Sequence, residues 1–411
     1  MRKSITRGVI GAAVVAPIVL SSGVAAVAAP ENDQWTRSNI AMNLGADASG
    51  AYTDASGARF DGSGQLVFDL DGAFTGGNSL MKDARGYSKV AVELCFGLAA
   101  DKTAWPNLCE VTNVIDDSFL YAGPSFYSSL DGKAAPSSRC VNAEGNPCHD
   151  VHGTATAGAV VGQPGVRWEL NADGSYTQVS TAGAATGAKV VEVKIGGGTT
   201  TGVNDAHGWS GESIVNALNW IDSVATTQST YRGKIAAVTM SVAGNPIGAG
   251  GTCSTIGRAI DDAAGRLKAK GIPVIMSAGN DGLDSLGAWN CGKNVITVGA
   301  TKTLEPHVRA SYSNHAASTR LYAPVGEGDY LKRDGVLLPY KSAGTFYAMG
   351  TSFAAPQVAG AFAVLREKFS YGPTVDQLVE LLAKTGTPVT GSGSPASARD
   401  IDIRAALNAT P

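Results

Sequence analysis

A chain of 411 residues that is 44% hydrophobic and 16% charged carries enough apolar material for one large core or two moderate ones. A formal net charge of −3 and the lack of a basic tract leave no footprint for nucleic acid, and this composition excludes disorder over most of the length.

The first element in chain order is a targeting segment. Arg2, Lys3 and Arg7 precede a short apolar run from Val9 to Leu20, and Ala26-Val27-Ala28 follows with small residues suited to signal peptidase. The run is too short for a membrane span and contains Pro17, so residues 1–28 are expected to be a signal peptide. No later stretch is apolar enough to anchor the chain, and a secreted, extracellular protein is expected. Six cysteines agree with export. Of the 15 connectivities six cysteines allow, proximity favours Cys95 with Cys109, Cys140 with Cys148, and Cys253 with Cys291.

Residues 29–95 are rich in Gly, Ala, Asp and Ser, with one alternating stretch, Gln65 to Leu70, that reads as a strand. Val111 to Ile115 is a short apolar run ending in acids. Lys189 to Ile195, Ile235 to Met240, Ile272 to Met276 and Val295 to Val298 read as buried strands. Ile214, Leu218 and Ile221, and then Ile256, Ile260, Ala264 and Leu267, recur at helical spacing. A helix follows Gly350, and a last one spans Ile401 to Leu407. Strands alternating with helices of about a dozen residues imply parallel pairing with helices on both faces, an α/β, three-layer αβα architecture with a mainly parallel central sheet. In such sheets sites form beyond the carboxyl ends of the strands, which points at Asp116, Ser241 and Asn280.

Four local patterns carry chemistry. Gly350-Thr351-Ser352-Phe353-Ala354-Ala355-Pro356 opens a helix, with the proline in the first turn where its missing N–H has no partner. A serine there sits where the helix dipole favours developing negative charge. His152-Gly153-Thr154 is followed by small residues that let a helix start against a sheet. Val114-Ile115-Asp116-Asp117 ends a predicted strand in a carboxylate suited to orient an imidazole. Ser277-Ala278-Gly279-Asn280-Asp281-Gly282 follows a strand with an amide able to donate to an oxyanion. Taken singly, each has a bland counterpart: a helix cap, a structural histidine, a strand-end turn former, a Gly-Asn turn. His149 and His152 as a metal pair lack further ligands.

Together these patterns resemble the subtilisin family of serine proteases, in its chain order Asp, His, Ser. The spacings are 36 residues from Asp116 to His152 and 200 from there to Ser352. Met240-Ser241-Val242-Ala243-Gly244 resembles the segment lining the family's substrate cleft, and Tyr312-Ser313-Asn314 and Ile401 to Leu407 also match. Departures are Ser118 for a usual glycine, Ala155-Thr156 for His-Val, and Gln357 for histidine. Asp117 is the alternate acid.

The resemblance implies a subtilisin-like peptidase domain over 96–411, with residues 29–95 either a removable prosegment or an integral extension. It implies a serine endopeptidase with Asp116, His152 and Ser352 as its triad and Asn280 as oxyanion donor. Substrate-binding residues would be Ser241, Val242, Ala243, Gly244, Ser277, Ala278 and Gly279, framing an open apolar pocket. Partners would be protein or peptide substrates, met by a monomer. The chemistry requires no cofactor, and no local run identifies a structural calcium site. Activity is expected to rise through about pH 6–7 as the histidine becomes neutral. A peptide ligase or cyclase on the same site, and an inactive secreted binding protein of the same fold, are the alternatives.

Overall fold

The computed structural model describes residues 38–96 and 152–411, apart from short breaks at 73, 75–76, 172, 199–206, 210, 249–250, 329–332 and 341–343. Asp116, Asp117, Ser118, His149, Cys109, Cys140 and Cys148, the strand expected at Val111 to Ile115 and the segment 1–28 lie outside the described residues.

A nine-stranded sheet organises the chain. In chain order its strands are β1 (Leu66–Asp71), β2 (Val90–Cys95), β3 (Lys189–Lys194), β4 (Ile235–Met240), β5 (Val274–Ser277), β6 (Val295–Thr301), β7 (Leu321–Pro324), β8 (Thr387–Pro388) and β9 (Arg399–Asp400). Across the sheet they run β8-β9-β7-β6-β5-β4-β1-β3-β2, and every pairing is parallel except β8 with β9. Their Val, Ile and Leu content suits strands covered on both faces.

The six principal helices are α1 (His152–Val161), α2 (Gly211–Thr227), α3 (Thr255–Ala269), α4 (Ala355–Phe369), α5 (Val375–Thr385) and α6 (Ile403–Leu407). Their starts follow from local chemistry. Ser254 accepts from Gly257 N ahead of α3, Thr374 and Gln377 form a capping box on α5, and Asp402 accepts from Ala405 N before α6. The expected helices and strands at 189–195, 214–221, 235–240, 256–267, 272–276 and 295–298 are all present, with ends shifted by a few residues.

Two cores flank the sheet. Helices α1, α4, α5 and α6 pack on one face with Val67, Val190 and Ile275. Helices α2 and α3 pack on the other with Phe68, Leu70, Val191 and Val193. The second core includes an aromatic cluster in which the Phe68 ring lies 5.6 Å from Tyr231 and 6.4 Å from Trp220. Helix α1 is built from small residues so that it can sit close to its neighbours. A Cβ on Gly158 would stand 2.4 Å from Pro339 Cδ.

β1 lies inside the sheet, third from its β2 edge, hydrogen-bonded to β3 on one side and β4 on the other. β2 extends the same sheet at its edge. Strands from either side of residue 96 thus share this one sheet. The strand order reverses around β1, and such a reversal opens a crevice at the carboxyl ends of the strands. Of the expected disulfides, Cys253–Cys291 is formed, with a Cα–Cα distance of 5.6 Å.

Candidate active site

The crevice brings together His152 from the start of α1, Ser352 from the turn ahead of α4, and the segments that follow β4 and β5. Thr351–Phe353 form a 3₁₀ turn running into α4, with Pro356 in that helix's first turn. The positive end of a helix dipole favours negative charge at such a start. Gly350 precedes the turn with φ 117°, a conformation L side chains rarely adopt.

His152 is held from behind. Its Nδ1 lies 2.9 Å from both Oδ1 and Oδ2 of Asp71, the last residue of β1. Asp71 is fully buried, whereas the His152 side chain keeps 16% exposure toward the crevice. The Asp71 carboxylate also accepts from Gly72 N at 2.7 Å. On its other side the imidazole leans against Phe353, ring centroids 5.4 Å apart. A carboxylate on Nδ1 fixes the tautomer that leaves Nε2 as the base. Sequence reasoning gave this position to Asp116; the acid that the structure places on His152 is Asp71. It ends a strand in an alternating stretch the sequence did identify, and Asp71-Gly72 at that strand's end was the available signal.

The serine is fixed by reciprocal contacts with Ser241. Ser241 Oγ donates to the Ser352 carbonyl at 2.6 Å, and Ser352 Oγ donates at 3.4 Å to the Ser241 carbonyl. Asn280 is oriented by Thr351, whose N–H and Oγ1 both donate to Asn280 Oδ1, at 2.8 and 2.9 Å. With Oδ1 so occupied, the amide Nδ2 is the end available to a ligand. The turn carrying Asn280 is anchored by Asn314, whose Oδ1 accepts from the N–H groups of Asp281 and Leu283. Tyr312 Oη accepts from Gly350 N and donates to the Gly326 carbonyl, and burial pushes its hydroxyl well above the usual tyrosine range. The Tyr312-Ser313-Asn314 motif is thus scaffolding for both Asn280 and Ser352.

The cleft beside these groups has a volume of about 840 Å³. Of the residues assigned to substrate binding, Ser241, Val242, Ala243, Gly244, Ser277 and Gly279 line it, while Ala278 is fully buried and does not. Sequence reasoning missed Asn245, Trp289 and Met349 in its wall. Trp289 N donates to the Ala243 carbonyl at 3.3 Å, and its ring packs so close to Gly244 that a Cβ there would meet it at 2.8 Å. Such a contact between residues far apart in the chain leaves no local pattern to read. Among the described residues no group of three or more His, Cys, Asp or Glu is arranged to hold a metal, and no helix is long and apolar enough to cross a membrane.

Comparison with known proteins adds to this geometry. The model of the subtilase family of peptidases matches residues 111–399, a span that includes His152, Asn280 and Ser352 but begins after Asp71. An extracellular protease of Xanthomonas campestris pv. campestris is 30% identical over 267 residues, 62% of this chain and 40% of that protein. Subtilisin-like protease 1 of Trichophyton verrucosum is 30% identical over 272 residues, 66% of this chain and 56% of that one. An extracellular basic protease of Dichelobacter nodosus is 33% identical over 243 residues, covering 56% and 36%. The chain thus covers less than two thirds of the length of these relatives. Among solved structures, a protease from Pseudoalteromonas arctica matches with a TM-score of 0.59 at 20% identity, covering 91% of this chain and 96% of its own. The prenylagaramide maturation protease PagA gives 0.51 at 17% identity, covering 84% and 93%. At such identities these structures speak for the shared fold.

Proposed function

The chain belongs to the subtilase family, and we propose that it is a secreted serine endopeptidase with Ser352 as nucleophile, His152 as base and Asp71, in place of Asp116, as the acid that orients the base. The observation that carries this reading is the buried Asp71 carboxylate on His152 Nδ1, at the mouth of a cleft that also holds Ser352 and Asn280.

The Oγ of Ser352 attacks the carbonyl carbon of the scissile peptide while His152 Nε2 takes its proton. The imidazolium that forms is stabilised by Asp71 and returns the proton to the leaving amine. Asn280 Nδ2 and the Ser352 N–H donate to the tetrahedral oxyanion. Water then repeats the sequence on the acyl-enzyme. The resting serine, aimed at the Ser241 carbonyl, turns toward His152 when substrate fills the cleft; apo geometries of this kind commonly tighten on binding. An extended peptide lies along Ser241 to Gly244 as an added strand, and its side chain enters the pocket floored by Ser277 and Gly279 and walled by Trp289.

Secretion is supported by the leader-like residues 1–28 and by relatives named extracellular proteases. The chain from β1 onward is retained in the active enzyme, because β1 supplies both an interior strand and Asp71. A fluorophosphonate tests the proposal directly. Peptide mass spectrometry is expected to find the adduct on Ser352, none in Ser352→Ala, and a mature N-terminus ahead of residue 66. A folded protein that takes up no adduct would instead be a binding protein on a protease fold.

A further inference from the structure

Beneath the Asp71–His152 pair lies a second carboxyl that the mechanism does not use. Asp69 is two residues before Asp71 on β1, on the same face, and is fully buried. The sheet register sets it beside Glu192 of β3 and Thr239 of β4, and sets Glu192 beside Glu93 of β2. Lys194 of β3 pairs with Asp71 one step further along. All of these side chains are buried. From α1, Thr156 reaches down among them, and His152 stands one turn above.

Thr156 Oγ1 lies 2.8 Å from Asp69 Oδ2, 3.2 Å from Asp71 Oδ2 and 2.9 Å from the Gly153 carbonyl. A hydroxyl has one proton and two lone pairs. If both aspartates were ionised, that single proton would serve three acceptors, and a carboxylate oxygen would face a lone pair in a dry interior. A proton on Asp69 resolves the count. The Asp69 acid donates to Thr156 Oγ1, Thr156 donates to Asp71 Oδ2, and Asp71 keeps the charge that accepts from His152 Nδ1 and Gly72 N. The Gly153 carbonyl lies inside α1, where the helix supplies its own donor.

We propose that Asp69 is a neutral carboxylic acid and a positioning residue for the Asp71–His152 pair, acting through the Thr156 hydroxyl. Asp69 Oδ1 has no hydrogen-bond partner among the described residues, which a neutral carbonyl tolerates and an anion does not. Burial first, and then the Asp71 charge, push the Asp69 carboxyl well above the usual range; burial, and then Glu93, do the same to Glu192. The acid thus gives Asp71 a donor without adding a second negative charge under the imidazole. A group whose pKa is raised by folding stabilises the fold fully below its unfolded pKa of about 3.9 and loses that contribution as pH rises through the folded value.

The inference rests on the proposed Asp71–His152 pair, but its first test needs no turnover. The infrared spectrum of folded wild type at pH 8 is expected to contain a protonated-carboxyl carbonyl band that moves on ¹³C labelling of aspartate and is absent in Asp69→Asn. The labelling separates it from Glu192, and its loss in Asp69→Asn separates it from Asp400, whose carboxyl burial also raises. Loss of carboxylate bands instead, or no aspartate-sensitive protonated band, would overturn the proposal whether or not Ser352 takes up fluorophosphonate. Kinetics test the positioning role. Thr156→Val is expected to lower kcat roughly tenfold or more with little change in KM, and Thr156→Ser to restore it. Asp69→Leu should lose a similar factor that Asp69→Asn, which keeps a donor, largely recovers, with the acid limb of the kcat/KM profile unmoved. An acid limb displaced downward in Asp69→Asn would mean that a negative charge had been removed, and would contradict a neutral Asp69.

Discussion

The two faces of β1 are made for different tasks. Toward α2 and α3 it presents Phe68 and Leu70 to an aromatic and aliphatic core that includes Trp220, Tyr231 and Phe96. Toward α1 it begins with Val67 and turns acidic at Asp69 and Asp71, under His152 and Thr156. The apolar face buys stability by area, and any residue of similar volume serves it. The acidic face costs desolvation and holds only because each group has a specific proton or donor. An interior strand can therefore anchor a sheet and aim a catalytic group at once, provided that the two demands fall on alternate residues.

Substitutions on either side should separate the two tasks. The largest expected effect is His152→Ala over the acidic face, a loss of roughly 10⁶ in kcat, the scale of removing one member of the triad in subtilisin itself. Its thermal midpoint should stay near that of wild type; a large drop would make His152 part of the stability device. Next comes Phe68→Ala on the apolar face, which should destabilise by about 3–5 kcal/mol in denaturant titrations. The protein that remains folded should turn over normally, and a lower kcat per folded molecule would blur the division. Asn280→Ala lies off the strand and removes a donor to the oxyanion, along with the acceptor of Thr351 N–H and Oγ1. It should lower kcat by about 10²–10³ with little change in KM, again the subtilisin precedent. The smallest effect is at His307, outside the cleft, whose Nδ1 is 2.9 Å from Asp400 Oδ2. This bond raises the His307 pKa above its ordinary value, while burial raises that of Asp400. The stability gained from His307 is present below its unfolded pKa of about 6.5 and fades as pH rises through the folded value. In Asp400→Asn the NMR titration midpoint of His307 should fall toward the ordinary value, with kcat unchanged.

The serine half of the site was legible because its determinants are contiguous. Gly350 to Pro356 spells a positive-φ turn, a nucleophile and a helix start in seven residues, and Gly279-Asn280 follows a strand directly. The acid half was not. The alternation from Gln65 to Leu70 read correctly as a strand that in fact runs on to Asp71, but acids at alternate positions ordinarily mark a solvent face. Only the docking of α1, some 80 positions later in the chain, converts that face into a buried one. Asp116 offered the same cue, an apolar run closed by an acid, at a spacing that suited the family. The αβα layers were legible from periodicity alone. The place of residues 38–96 within them was not, because strand order is decided by pairing between distant segments. Trp289 escaped notice for the same reason.

The central claim is that the acid behind His152 is Asp71. Steady-state kinetics of Asp71→Asn and Asp116→Asn, each checked for native thermal stability, test it most directly. Asp71→Asn should lose about 10⁴ in kcat, the cost of holding the histidine in the wrong tautomer, while Asp116→Asn stays within a few-fold of wild type. A 10⁴-fold loss in Asp116→Asn with Asp71→Asn near wild type would contradict the account and return the acid to the position the sequence pattern first suggested.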